Sequence, residues 1–489
     1  MKPINQTYKF FDRVKKNLYN SSFDLVKNND EILSYKDAKD KVEKILYCLK
    51  KIKKQKIVIF SDKSLNYYPA VLSVLFSGNI WIQISPTMPF DRIQKICKIA
   101  KVKYGIYDRS FGNDKSLKKL KIKIFDLETI SKRENQLKIS IPKIKQHDTA
   151  MIFFTSGSTG IPKGVEISYK NFSSCLFHQI RSLYNSDKKQ VFSDYHDASF
   201  VMSLVVIFPA VYLNCSISPL IDFNDKIFPV NHIINNKVTT IITVPSFILF
   251  MKNQLSKKKK IKIKNLILCG ENFPANILSS IKIHFKYKSL FNLYGSTETS
   301  PWVFFYRYKK KDEKLIKTIG QVPIGNPFKG TKILMDNNKQ LLINGDMISK
   351  GYFQNNKENK LKFIFKNKKR YYCTGDIVKK IQSYFFCVGR SDTQVKLRGY
   401  RIDTTEIESH AKKMTGVNYC YCYLSDKSKQ SYLVLLCLIN SKKINEKKIL
   451  DYLKKHLPNY MVPKKIILEN KLKFNKNGKV DKVFYKSKY

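Results

Sequence analysis

Six short apolar runs rich in β-branched residues, at 56–60, 80–84, 104–107, 151–154, 239–244 and 265–269, recur through the first three quarters of the chain. Such runs, bounded by polar turns, read as buried strands, and the helical spacing of apolar positions over 65–76 and 89–100 reads as helices between them. Parallel strands need crossover helices and are covered on both faces, so this alternation restricts the chain to an α/β layout with partly parallel sheets. Lysine-rich patches at 115–123 and 257–264 are expected to be exposed loops or strand edges. After Gly389 the texture changes to a helix over 404–413, strands over 417–424 and 432–439 and a helix over 445–456, about a hundred residues of α+β character. The expected fold is therefore a large N-terminal α/β domain with several sheets, residues 1–391, plus a small C-terminal α+β domain, residues 392–489, joined at a Gly389–Asp392 hinge.

The residues from Thr155 to Gly164, TSGSTGIPKG, follow the strand-like run 151–154 and hold three of the chain's 18 glycines. Glycines let backbone N–H groups approach phosphate oxygens, Thr155, Ser156, Ser158 and Thr159 add donors, and Lys163 supplies a mobile positive charge. The composition points to a nucleoside triphosphate, against the plainer reading of a solvated Ser/Gly turn. Lys163 precedes a glycine rather than Ser or Thr, so no GxxxxGK[ST] can be drawn and a P-loop ATPase or kinase is disfavoured.

The net charge of +53 invites a nucleic-acid reading, but the 91 basic residues are spread from end to end and only ten are arginine. Base and phosphate readers rely on arginine forks, so no specific nucleic-acid partner is expected, and compositional drift explains the lysines. So positive a surface would still attract acidic protein partners in a salt-dependent way. Ten scattered cysteines without a CxxC or Cys/His cluster read as reduced thiols of a cytoplasmic protein. The N-terminus lacks the apolar core of a signal peptide, and the longest apolar run, 200–213, contains Pro209 and is too short to span a bilayer. Three of the ten arginines, Arg390, Arg398 and Arg401, fall within twelve residues, where a guanidinium fork is needed for ligand or ion-pair contacts.

Nine motifs then occur in order: LSYKDA from Leu33, LFSGNIWIQISPTMPFDRI from Leu75, TSGSTGIPKG from Thr155, NLYGSTET from Asn292, INGDMISKGYF from Ile343, YCTGD from Tyr372, GRSDTQVKLRGYRID from Gly389, LPNYMVP from Leu457 and NGKVDK from Asn477. Together they resemble the adenylate-forming superfamily, which includes acyl-CoA synthetases, luciferases and the adenylation domains of peptide synthetases. The resemblance implies a small C-terminal domain that swings about a hinge at Asp392, and an enzyme that uses ATP and Mg²⁺. It further implies nucleotide contacts from Thr155, Ser156, Gly157, Ser158, Thr159, Gly160 and Lys163, from Gly270 and Tyr294 flanking the adenine, from Glu271, Asn292 and Gly295, and from Asp376 at the ribose hydroxyls with Arg390 nearby. Glu298 matches the Mg²⁺-associated glutamate, Thr297 the α-phosphate donor and Lys479 the lysine that stabilises charge as carboxylate displaces pyrophosphate. Gly399 matches a glycine beside a pantetheine tunnel.

The segment YHDASFVM from Tyr195 is similar to the FDxS stretch of amino-acid activators and puts Asp197 where an aspartate meets the substrate ammonium. A carboxylate facing an apolar pocket is costly unless it meets a cation; the alternative is an outward-turned helix N-cap. Ala198, Val201, Cys269, Leu293, Pro301 and Trp302 are the other expected pocket residues. LCGENFP from Leu268 is similar to the corresponding segment of D-alanine:carrier-protein ligases, whereas His196, Ser296, Pro301 and Trp302 depart from them and set other small amino acids beside D-alanine. The expected activity is ATP-dependent activation of a small amino acid and its transfer to the phosphopantetheine thiol of a separate, acidic carrier protein, or to coenzyme A; the alternative is an acyl- or aryl-CoA ligase acting on an acid without an amino group. The chain ends ten residues after Lys479, so the enzyme is expected to be freestanding.

Overall fold

A computed structural model describes residues 6–29, 31–112, 114–133, 144–157, 160–184, 190–255, 260–425, 430–441, 444–471, 473 and 481–489. The chain divides into two compact units, the first made of Met1–Pro86, Cys97–Phe154 and Gly164–Ser391, the second of Thr87–Ile96, Thr155–Lys163 and Asp392–Tyr489.

Two large sheets organise the first unit. One has seven strands in the order Gly351–Tyr352, Lys163–Ser168, Thr149–Thr155, Ile80–Ile84, Lys56–Phe60, Tyr104–Tyr107 and Lys123–Asp126. Its five consecutive strands from Thr149–Thr155 to Lys123–Asp126 pair in parallel, as near-continuous Val/Ile runs require. The other has nine strands, in which Phe285–Gly295, Ile261–Cys269, Thr240–Thr243, Val191–Asp194, Ser216–Pro219 and Asp24–Asn28 run parallel in that order. A five-stranded antiparallel sheet is built on the long strand Lys369–Ile381. Helix Gln6–Asn20 brings Phe10 and Phe11 against Tyr212, Tyr169 and Phe172 with ring centroids 5.2–5.3 Å apart. Ser168 opens helix Tyr169–Leu183 with a reciprocal cap, its hydroxyl accepting from Asn171 N while Asn171 Oδ1 accepts from Ser168 N.

The second unit contains the hairpin Gln394–Leu397 and Tyr400–Asp403, helix Thr404–Ala411 and the sheet Val417–Ser425, Tyr432–Ile439 and Lys465–Glu469, with helix Glu446–His456. Its core gathers Ile402, Ile407, Cys420, Leu435, Ile449 and Leu453. Asp403 caps the helix that follows it by accepting from Thr405 N, and Asn445 does the same for Glu446–His456 through Lys448 N.

Strand expectations at 56–60, 80–84 and 104–107 match residue for residue. The run at 265–269 begins earlier, at Ile261, because Ile261 and Ile263 continue the parallel pairing with Phe285 and Tyr287 through the lysines. The patch at 115–123 departs from a plain loop: it forms a short helix Asp114–Leu117 and a 3₁₀ turn Lys118–Leu120, with Leu117 buried as its apolar anchor. None of the ten cysteines forms a disulfide. Among the described residues no helix is long and apolar enough to cross a membrane.

Candidate active site

In the first unit the expected site residues collect at the C-terminal ends of two parallel strands, the region where open α/β sheets bind ligands. Cys269 ends Ile261–Cys269, in register with Leu293 of Phe285–Gly295, and Asn292, Tyr294 and Gly295 surround that position. Gly295 is required by space: a Cβ there would lie 1.9 Å from the carbonyl oxygen of Pro301 and 2.7 Å from Thr299 Oγ1. Gly270 takes φ +79°, a conformation glycine adopts without strain, and Glu271 accepts from Ser246 N at 3.0 Å. Asn292 donates to the Pro323 carbonyl at 2.9 Å.

Asp376 and Arg390 face each other across the antiparallel pair Lys369–Ile381 and Tyr384–Arg390. Arg390 grips Asp376 Oδ1, and the Tyr294 hydroxyl donates to Oδ2 at 2.5 Å. Burial, with Asp376 alongside, pushes the Tyr294 phenol well above its usual range, so it stays a donor. Arg390 and Tyr294 thus fix the carboxylate through one donor on each oxygen.

Glu298 sits in the 3₁₀ turn Thr297–Thr299, is almost fully buried, and accepts from the Tyr352 hydroxyl at 2.7 Å through Oε1. Its backbone carbonyl accepts from Ser349 N at 2.8 Å, which ties the turn to the INGDMISKGYF segment. Mg²⁺ takes one or two carboxylates together with substrate phosphates, and a hard buried carboxylate is the donor type it uses. Among the described residues no group of three His, Cys, Asp or Glu forms a protein-only cage.

The expected acid pocket is tightly packed. Ala198, Val201, Cys269, Leu293 and Trp302 are each at most 7% exposed and share one core cluster. Trp302 lies on strand Trp302–Arg307, whose first carbonyl accepts from the Cys175 thiol, and Cys269 donates to the Thr243 carbonyl. Half-buried Asp197 is neither starved of partners nor the residue that caps the following 3₁₀ turn, a position held by Phe200. Its Oδ1 accepts from Ser199 N at 2.8 Å and Ser199 Oγ at 2.5 Å, and Oδ2 from Ser85 Oγ at 3.0 Å.

Near Asp197, Asp194 carries a buried charge network that sequence reading missed, with a neutral histidine, His196, beside it. Asp194 is fully buried, with Lys63 Nζ 2.5 Å from Oδ1 and the Tyr68 hydroxyl donating to Oδ2 at 3.0 Å. Burial pushes the Asp194 carboxyl up against the pull of that lysine and tyrosine. Burial and Lys63 hold the His196 imidazole neutral, with its pKa lowered to about 3, and its Nε2 is buried without a hydrogen-bond partner.

In the second unit the glycine-rich loop folds on itself: Gly160 N donates to the Gly157 carbonyl at 2.9 Å and Thr155 Oγ1 to the Lys163 carbonyl at 3.4 Å. A Cβ on Gly157 would lie 2.2 Å from the Ile161 carbonyl oxygen and 3.1 Å from the Lys163 stem. Ser156 Oγ donates to the Arg401 carbonyl and accepts from Asp403 N, and Gly157 N donates to Glu406. Gly399, with φ +81°, follows Arg398 at φ +52° in the two-residue turn of the hairpin, where positive φ at both central positions suits the strand twist. Asp392 Oδ1 accepts from Gln394 N. Arg92, Glu406, Ser85 and Tyr352 were not singled out as site residues from sequence; Arg92 and Ser85 sit in LFSGNIWIQISPTMPFDRI and Tyr352 in INGDMISKGYF, so motif membership was the available signal. Ser158, Thr159 and Lys479 lie outside the described residues.

The profile of the AMP-binding enzyme family matches residues 15–353. A D-alanine--D-alanyl carrier protein ligase from Staphylococcus aureus (strain bovine RF122 / ET3-1) is 25% identical over 469 residues, covering 94% of each chain. Among solved structures, the Vibrio cholerae adenylation domain AlmE in complex with glycyl-adenosine-5'-phosphate superposes with a TM-score of 0.83 at 18% identity, over 100% of this chain and 99% of that one. A double mutant of o-succinylbenzoate CoA synthetase (MenE) from Bacillus subtilis gives 0.82 at 17% identity over 96% of each. These likenesses establish the fold, with a large N-terminal and a small C-terminal domain.

Proposed function

We propose that this chain, which belongs to the AMP-binding enzyme family and is an AMP-forming ligase, activates a small amino acid with ATP and transfers it to the phosphopantetheine thiol of a carrier protein. The observation that carries this reading is Asp197, a half-buried carboxylate beside the apolar Ala198 and Val201. An anion kept at such a position is stabilised by a substrate ammonium, and two serine hydroxyls prepare its geometry. The named activity of the Staphylococcus aureus relative supports D-alanine or a similarly small side chain, as does the glycyl ligand of the Vibrio cholerae domain.

In this reading Asp376, oriented by Tyr294 and Arg390, accepts from the ribose hydroxyls, and the Thr155–Gly160 loop with Lys163 binds the phosphates. Glu298 would hold Mg²⁺, which neutralises phosphate charge when bound; Tyr352 orients the carboxylate. Thr297 donates to the α-phosphate, and Lys479 neutralises charge as the amino-acid carboxylate attacks phosphorus and pyrophosphate leaves. The hinge at Asp392, where the expected domain 1–391 gives way to 392–489, and the tunnel position of Gly399 belong to the thiol-transfer half of the same reading. Ten cysteines held without a disulfide support a reducing, cytoplasmic setting. An acidic carrier protein suits the +53 charge; coenzyme A is the other acceptor.

One observation favours the acyl- or aryl-CoA ligase reading: Ser85 and Ser199 already satisfy Asp197 without an ammonium. Substrate-dependent ATP–pyrophosphate exchange with D- and L-amino acids, acetate, fatty acids and benzoates decides between them. Exchange with one small amino acid, lost in Asp197→Ala, is expected; exchange only with acids lacking an ammonium overturns the amino-acid reading.

A further inference from the structure

The glycine-rich loop is tied to the helix Thr404–Ala411 by a contact that no phosphate-binding role requires. Glu406 and His410 lie four residues apart and so share one face of that helix. Glu406 is fully buried, its Oε1 in an ion pair with Arg92 at 2.5 Å and its Oε2 accepting from the backbone N–H of Gly157 at 3.1 Å. One turn on, the His410 ring stands where a Cβ on Gly160 would lie 3.6 Å from it. Ser156 adds two bonds, donating to the Arg401 carbonyl at 3.0 Å and accepting from Asp403 N at 3.1 Å, and Asp403 is the cap that starts the helix.

A backbone N–H in a glycine-rich loop donating to a buried carboxylate makes the same kind of bond that such loops give to phosphate oxygens. One N–H has one strong acceptor at a time, so a phosphate oxygen and Glu406 exclude each other at Gly157. We infer that Glu406, held by Arg92, is an internal anion that occupies the Gly157 N–H, and that the phosphates of a nucleotide bind this loop by displacing it. Glu406 is then a positioning residue whose release is coupled to phosphate binding, which lowers apparent affinity for ATP by the fraction of molecules with the loop released. The inference rests on the nucleotide reading of the loop given above.

Calorimetric titration of the full chain with ATP and, separately, with adenosine tests it. The variant Arg92→Met/Glu406→Leu removes one charge of each sign, leaving the net charge unchanged, and replaces a buried ion pair by apolar groups, a change that folded proteins often tolerate. Glu406→Asp keeps the charge and the Arg92 partner while drawing the carboxylate back from Gly157. ATP is expected to bind about fivefold or more tightly in the pair variant, and by a smaller factor in Glu406→Asp, with adenosine affinity unchanged. ATP affinity that stays the same or falls in Glu406→Asp, or ATP and adenosine affinities that move together, overturns the inference alone. Wild-type protein that binds neither ATP nor adenosine overturns the nucleotide reading beneath it.

Discussion

Tyr294 donates its hydroxyl to Asp376 across 2.5 Å, and both residues are at most 5% exposed. The pair links the end of a parallel strand in the nine-stranded sheet to the central strand of the antiparallel sheet. In Tyr294→Phe the carboxylate keeps Arg390 but loses a buried donor, at a cost of about 1–3 kcal/mol. The KM for ATP in pyrophosphate exchange should rise by about five- to a hundredfold while the amino-acid KM changes little. Equal shifts in both would show a general loss of structure instead.

Lys479→Ala should lower the exchange rate by about 10²–10³-fold, the range measured when one preorganised donor to developing charge is removed. Amino-acid and ATP affinities, read by titration, should change far less, because the interaction is assigned to the transition state.

Gly295 has no room for a side chain, so Gly295→Ala forces the backbone away from Pro301 and disturbs the Thr297–Thr299 turn that holds Glu298. A destabilisation of about 1–3 kcal/mol is expected from denaturant unfolding, together with loss of exchange activity. A variant with wild-type midpoint and wild-type exchange would show that the turn accommodates a Cβ freely.

Acid should unfold this protein partly through its buried histidines. Burial lowers the pKa of His196 to about 3, with Lys63 adding to it, and that of His410 to about 4, with Lys413, Lys95, His456 and Arg92 adding to it, against an ordinary 6.5. The unfolded chain binds those protons as pH falls below about 6.5 while the native one does not, so stability is fully present above that pH and is lost toward pH 3–4. The slope is about 1.4 kcal/mol per pH unit per group. His196→Phe should remove about one group's worth of slope between pH 6 and 4 in urea titrations; an unchanged slope would mean that the imidazole becomes protonated in the native state.

If an acidic carrier protein is the acceptor, its loading rate should fall steeply between about 0.05 and 0.5 M salt, whereas pyrophosphate exchange with the free amino acid should not. A flat salt profile for loading would assign the +53 charge to composition alone.

Much of the fold is legible in the sequence because buried parallel strands must be continuously apolar: Lys56–Phe60, Ile80–Ile84 and Tyr104–Tyr107 announce themselves without knowledge of their neighbours. The third strand of the small sheet, Lys465–Glu469, was not read, since its few apolar residues are flanked by charges and its pairing with Tyr432–Ile439 supplies what composition does not. The lysine patch at 115–123 is exposed as expected, but its short helix, with Leu117 buried, is not visible in so polar a composition.

Local pattern thus determined the strands, the principal helices, the glycine-rich loop and the motif residues, because strand periodicity, capping and glycine spacing are properties of a few consecutive residues. Tertiary structure alone decided which groups meet. Arg92 and Glu406 are 314 positions apart, Ser85 and Asp197 112, and Tyr352 and Glu298 54. No local rule selects one acceptor for a buried donor among so many; that choice is made when the sheets assemble and every buried polar group must find a partner or remain costly.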